Sequence, residues 1–188
     1  MIAFNPELAL LVMDWAMKFK QLRYHEKQSD WYGKSGLSLH ISTVICSDPE
    51  KAGSLELQSY AHLFDACQQD WFAVCSVAEH TLQEIKRQKP HVSKIHLWSD
   101  EAGCYHNNFL ITAVKDFGQR MGIEVCHYDY SEPHYGNNIC DRILCPMKSC
   151  IRRFCDEGHD ILTAADIKES TVVRKISDRN KRPRLHCR

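Results

Sequence analysis

Two short apolar runs in this 188-residue chain each end on an aspartate. Leu8-Ala9-Leu10-Leu11-Val12-Met13 runs into Asp14, and Ile95-His96-Leu97-Trp98-Ser99 runs into Asp100. Runs of this length are short for a helix and sufficient for a strand. Neighbouring parallel strands would bring both terminal carboxylates to one crevice beyond the sheet. Hard oxygen donors on rigid strand ends suit two divalent ions ~3.5–4 Å apart, one activating an attacking oxygen and one stabilising the leaving oxygen of a phosphodiester. Taken singly, each aspartate is an ordinary turn residue after a strand. The pair is what points to a site.

A third acid is expected from the start of the last long helix. Asp141 lies there, and at ~100° per residue Cys145, Lys148 and Arg152 share its face. A carboxylate followed by two cations on one edge suits metal at one end and nucleic-acid phosphates along the rest. A solvated helix face accounts for the same charges equally well. Glu132, directly after the last strand, competes as third ligand. His106 and His134 are placed to contact a phosphate or orient water.

The elements that must position these residues are legible from periodicity. Leu37, Leu39, Ile41, Thr43 and Ile45 alternate with Ser38, His40 and Ser42, the period of a half-buried strand. The Gly33-Lys34-Ser35-Gly36 turn suggests a hairpin with Lys20 to His25, and Ser59 to Phe64 supplies a third antiparallel strand. From Asp70, Trp71, Val74, Cys75, Ala78, Leu82 and Ile85 fall at helical spacing until Pro90. Leu110, Ala113, Val114, Phe117 and Met121 mark a second helix closed by Gly122, and Ile123 to Tyr128 a last strand. Beyond a Pro133 to Asn138 loop, Ile143, Met147, Ile151 and Phe154 mark a third helix that Gly158 ends. Pro146 predicts either a kink in it or a true start there. Thr163 and Asp166 form a capping-box-like pair before one more short helix. Three strands followed by alternating helices and strands is the element order of an RNase H-like α/β fold, with a mixed five-stranded sheet flanked by helices. A single catalytic domain is expected over 4–170, with a basic tail over 171–188.

Composition sets the class. The chain is 44% hydrophobic, enough for one substantial core. Lys and Arg total 24 against 24 Asp and Glu, so only local charge can argue for a nucleic-acid partner. The stretch from Arg174 to Arg188 is locally basic enough to follow a phosphate backbone. Ten cysteines form no Cys-x-x-Cys pair, which favours a reducing compartment. No apolar run approaches the ~20 residues of a membrane span, so no membrane partner is expected.

Three blocks carry a resemblance. Asp14-Trp15-Ala16-Met17-Lys18-Phe19, then Trp98-Ser99-Asp100-Glu101-Ala102-Gly103-Cys104-Tyr105-His106, then Ser131-Glu132-Pro133-His134-Tyr135-Gly136 with Cys140-Asp141-Arg142, resemble a group of transposon-derived proteins. Those proteins are similar to acidic-triad cut-and-paste transposases with an RNase H-like core. The resemblance implies Asp14, Asp100 and Asp141 as the metal-holding triad, magnesium or manganese as cofactor, DNA as partner and the nucleus as location. Self-association into a homo-oligomer is left open. The family pattern has lysine after the glycine, where this chain has Asn137. Such transposases also carry a DNA-binding module before the core, so a fragment or a domesticated remnant is expected. Two functions follow: metal-dependent DNA cleavage or strand transfer, or an inactive nucleic-acid- or protein-binding module on the same fold. A proofreading exonuclease ranks below both, because Ala16 stands where that family repeats an acid. Cys104 and His106, with His134 or Cys140, have zinc-type donors, but their spacings match no closed structural site.

Overall fold

Strand β1 (Leu8–Trp15) is apolar on both faces because it lies inside the sheet. It pairs antiparallel with β3 (Gly36–Ser47) and parallel with β5 (Lys94–Asp100). The computed structural model of the chain describes residues 5–28, 32, 34, 36–51, 53–131 and 138–178. Outside β3 lies antiparallel β4 (Leu55–Phe64), and outside β5 lies parallel β6 (Glu124–Ser131), so the sheet order is β4-β3-β1-β5-β6. A sixth, two-residue strand, β2 (Phe19–Lys20), pairs with Leu37 and Gly36 of β3. The fold is α/β, with a mixed open sheet of six strands, one more than the five expected.

Alternation sorts the strand residues into two cores. Ala9, Leu11 and Met13 of β1 join Ile95 and Leu97 of β5 on one face. Helices α1 (Trp71–Gln88) and α2 (Asn108–Met121) cover that face with Val74, Ala78, Leu82, Ile85, Leu110 and Val114. Asp70 caps α1 by accepting from the Ala73 N–H, Asn107 caps α2, and Gly122 closes α2 at φ 67°. A Cβ on Gly118 would come within 2.5 Å of the Ile123 carbonyl oxygen, so the close approach of α2 to the start of β6 requires glycine there. On the other face, Val12, Ala16, Leu39 and Ile41 pack against Cys140 and Leu144 of α3 (Ile139–Asp156). Helix α4 (Ala164–Asp178) follows; its Ile167 joins Ile151 and Phe154 of α3 and Leu37 in a third cluster. No helix among the described residues is long and apolar enough to cross a membrane.

Several elements differ from their sequence-based outlines. The expected hairpin partner at Lys20 to His25 shrinks to β2, with Leu22 making an isolated bridge to Ile161 instead. β3 is covered on both faces, because Val44 and Cys46 join the α1–α2 core while Leu39 and Ile41 join the α3 core, and its polar side chains find partners inside. Ser42 pairs with His40, and Ser38 donates to the Cys67 carbonyl. β4 starts at Leu55 rather than Ser59; its first residues turn Leu55 and Leu57 outward while Glu56 pairs with Lys89 and Gln58 with Gln88, the reverse of an amphipathic pattern. Helix α3 runs through Pro146, which lies on the exposed side, so the helix bond that proline cannot donate is not missing from the core. The last helix, expected to be short, has 15 residues and is capped as the Thr163 and Asp166 pair predicts.

Candidate active site

The β1–β5 pairing runs from Leu8 with Lys94 to Val12 with Trp98, and two residues beyond its end β1 reaches Asp14 and β5 reaches Asp100. Both acids share the α3 face, since Asp14 alternates with Val12, and Asp100 alternates with Leu97 and Ser99 on the opposite side. Asp141 occupies the first turn of α3. The residue that ties the helix to the strand is Asn138. Its side-chain oxygen accepts from the Asp141 N–H at 3.0 Å, capping α3, while its Nδ2 donates to Asp14 Oδ2 at 2.9 Å.

Burial, with the Asp141 and Asp100 carboxylates adding to it, pushes Asp14 up to about 6 against the partial relief of the Asn138 hydrogen bond. Asp14 therefore senses both other acids. Asp100 is held at the turn by accepting from the Ala102 N–H at 3.1 Å. The segment beyond it folds back through Tyr105 and His106, whose N–H groups both donate to the Ala102 carbonyl. Tyr105 anchors that segment: it is fully buried, and its hydroxyl pairs with His40 Nε2 at 3.0 Å. Burial, with His62 nearby, pushes His40 down to about 3, so it is neutral at physiological pH.

The remaining sequence-derived candidates divide. Lys148 is half-buried and Arg152 exposed on the Asp141 side of α3. His106 is exposed, with its ring 5.0 Å from that of Tyr130. Glu132, His134 and Asn137 lie outside the described residues, as do Arg179 to Arg188. Trp15 meets His40 edge-on and Tyr105 is inside the core, so neither ring is presented for stacking on a base. Cys140 is pushed up to about 12 by burial and lies within 3.6 Å of Thr43 Oγ1, behaving as a small core side chain. Among the described residues, no three His, Cys, Asp or Glu side chains are grouped as a ready-made metal site. The three aspartates are linked by register and electrostatic field rather than closed round one point.

A known domain matches residues 3–178. The chain belongs to the family described as domain of unknown function DUF8701. No curated protein matches it. The matched span of the DUF8701 domain includes all three aspartates and α4. Its most informative residue for the site is one the motifs did not single out. Asn138 stood at the end of a supposed loop, yet Asn138-x-x-Asp141 is a helix-start pattern of the N-cap type, and reading it so would have begun α3 at Ile139.

Proposed function

We propose that the chain is an RNase H-like, transposase-type core for divalent-metal-dependent DNA cleavage or strand transfer, with Asp14, Asp100 and Asp141 as its acids. The observation that carries this reading is the convergence on Asp14: an acid at the end of the adjacent parallel strand, another in the first turn of the helix after the last strand, and a proton affinity raised by both. The order β4-β3-β1-β5-β6, three antiparallel strands followed by two parallel to β1, supports the RNase H-like assignment. All three donors are carboxylates, which suits a hard ion such as magnesium or manganese, and the concentrated negative charge is what such an ion would neutralise. Asp14 and Asp100 would hold it, with Asp141 closing from α3. When bound, the ion supplies activation of the attacking oxygen and charge stabilisation at the leaving oxygen. The chain's own part is positional. The strand ends fix Asp14 and Asp100, and Asn138 orients the Asp14 carboxylate while anchoring the helix that carries Asp141.

The second reading is an inactive nucleic-acid- or protein-binding module on the same fold. A plasmid-nicking assay with magnesium or manganese separates the two. Asp14→Asn and Asp100→Asn should each abolish cleavage while the circular dichroism spectrum stays native. Asp141→Asn should do the same, and retained cleavage there with loss in Glu132→Gln would move the third role to Glu132. A folded wild-type chain that leaves DNA intact would establish the binding-module reading.

A further inference from the structure

Trp98 lies on β5, an interior strand between β1 and β6, and is nevertheless 42% exposed. Large aromatic side chains on interior strands are ordinarily covered. Trp98 shares the face of Asp100 and precedes it by two residues, about 7 Å along the strand. One step further back, the rings of His96 and His127 meet edge-on at 4.7 Å, and Asp129 pairs opposite Trp98. Helix α3 borders this surface. Met147 on its far flank packs with Leu63 of β4, whereas Asp141, Lys148 and Arg152 share the flank nearer Asp14. Strand β5 ends at the acids, and α3 leads on beyond them, from Cys140 beside Val12 and Thr43 to Ile151 against Leu37, so Trp98 lies on one side of the acids and Lys148 and Arg152 on the other.

We propose that an unpaired nucleic-acid strand crosses the acids, with one base stacked on Trp98 on one side and its backbone met by Lys148 and Arg152 on the other; the proposal rests on the phosphodiester reading above. The Trp98 surface favours a strand over a protein partner. Around the indole it presents two histidines and an aspartate, where the centre of a stable protein interface would be apolar. A lone exposed indole gives a base a sequence-tolerant stacking surface, and two cations beyond the acids can follow the backbone. A base still paired and stacked within a duplex does not offer its face to such a ring, so the strand is open at this point.

The test is fluorescence anisotropy of the full chain with a labelled single-stranded DNA of about 15 nucleotides and with its duplex, in EDTA. Wild type should bind the single strand more tightly. Trp98→Ala should weaken that binding about tenfold, Trp98→Phe should recover most of it, and duplex binding should stay the same. Paired Lys148→Ala and Arg152→Ala substitutions, which leave Trp98 intact, should weaken binding and flatten its salt dependence. Unchanged single-strand affinity in Trp98→Ala, or no single-strand binding by wild type, overturns the proposal. A Trp98→Ala chain that instead loses self-association in sedimentation assigns the face to a second copy and also overturns it. Cleavage dependent on Asp14 and Asp100 that survives alongside an inert Trp98 would sink this inference alone; absent cleavage with intact Trp98-dependent binding would sink only the catalytic reading.

Discussion

The two faces of one sheet are built to opposite ends. On the α1–α2 face, Leu11, Met13, Val44, Ile95 and Leu97 lie at 0–1% exposure under two helices, and the polar His40 is paired through Tyr105 and Ser42. On the α3 face, β1 and β3 bury Val12, Leu39 and Ile41 under the helix, while β1 goes on to Asp14 and the neighbouring β5 carries His96, Trp98 and Asp100. Strand alternation permits this, because consecutive residues answer to different environments. One face concentrates packing, the other concentrates charge and open surface. Stability and chemistry should therefore respond to different substitutions, and in places with opposite sign.

The largest effect should come from the closed face. Leu97→Ala removes a side chain walled in on every side, and denaturant unfolding should report a loss of about 3 kcal/mol. A loss below about 1 kcal/mol would mean that the face is less tightly packed than its burial implies. At the boundary between the faces, Asn138→Ala should cost about 1 kcal/mol through the lost helix cap. It should also move Asp14 above about 6, because the hydrogen bond that favours its charged form is gone. Carboxyl titration by NMR would register that rise, and a fall would contradict the geometry. The smallest effect, and the one of opposite sign, belongs to Asp14→Asn. The folded state holds its Asp14 proton to higher pH than the unfolded chain does. Stability from this group is present at low pH and is lost as pH climbs from the ordinary carboxylate range through about 6. At pH 7 Asp14→Asn should thus be more stable than wild type by about 0.5–1 kcal/mol, a discounted figure because the carboxyl stays partly open to water. Thermal melts from pH 4 to 8 should show wild type losing its advantage across that window. The same substitution should abolish cleavage, so one residue would raise stability and remove activity.

Local pattern carried most of the fold. The strand runs ending on Asp14 and Asp100, the helix from Trp71 and the glycine stop at Gly122 follow from apolar period and capping chemistry, which depend on near neighbours in the chain. β2 and the first half of β4 did not follow: a two-residue strand has no period, and β4 hides its inward polar residues behind partners on α1. Asp14, Asp100 and Asp141 could be chosen as acids from their places at element ends. Their relation to one another was decided only in three dimensions, by the parallel register of β1 with β5 and by Asn138 bridging α3 to Asp14. The exposure of Trp98 was decided there too. A tryptophan in a strand run reads as core, and only the extent of α3 over the sheet determines which side chains on that face are covered and which remain open to a ligand.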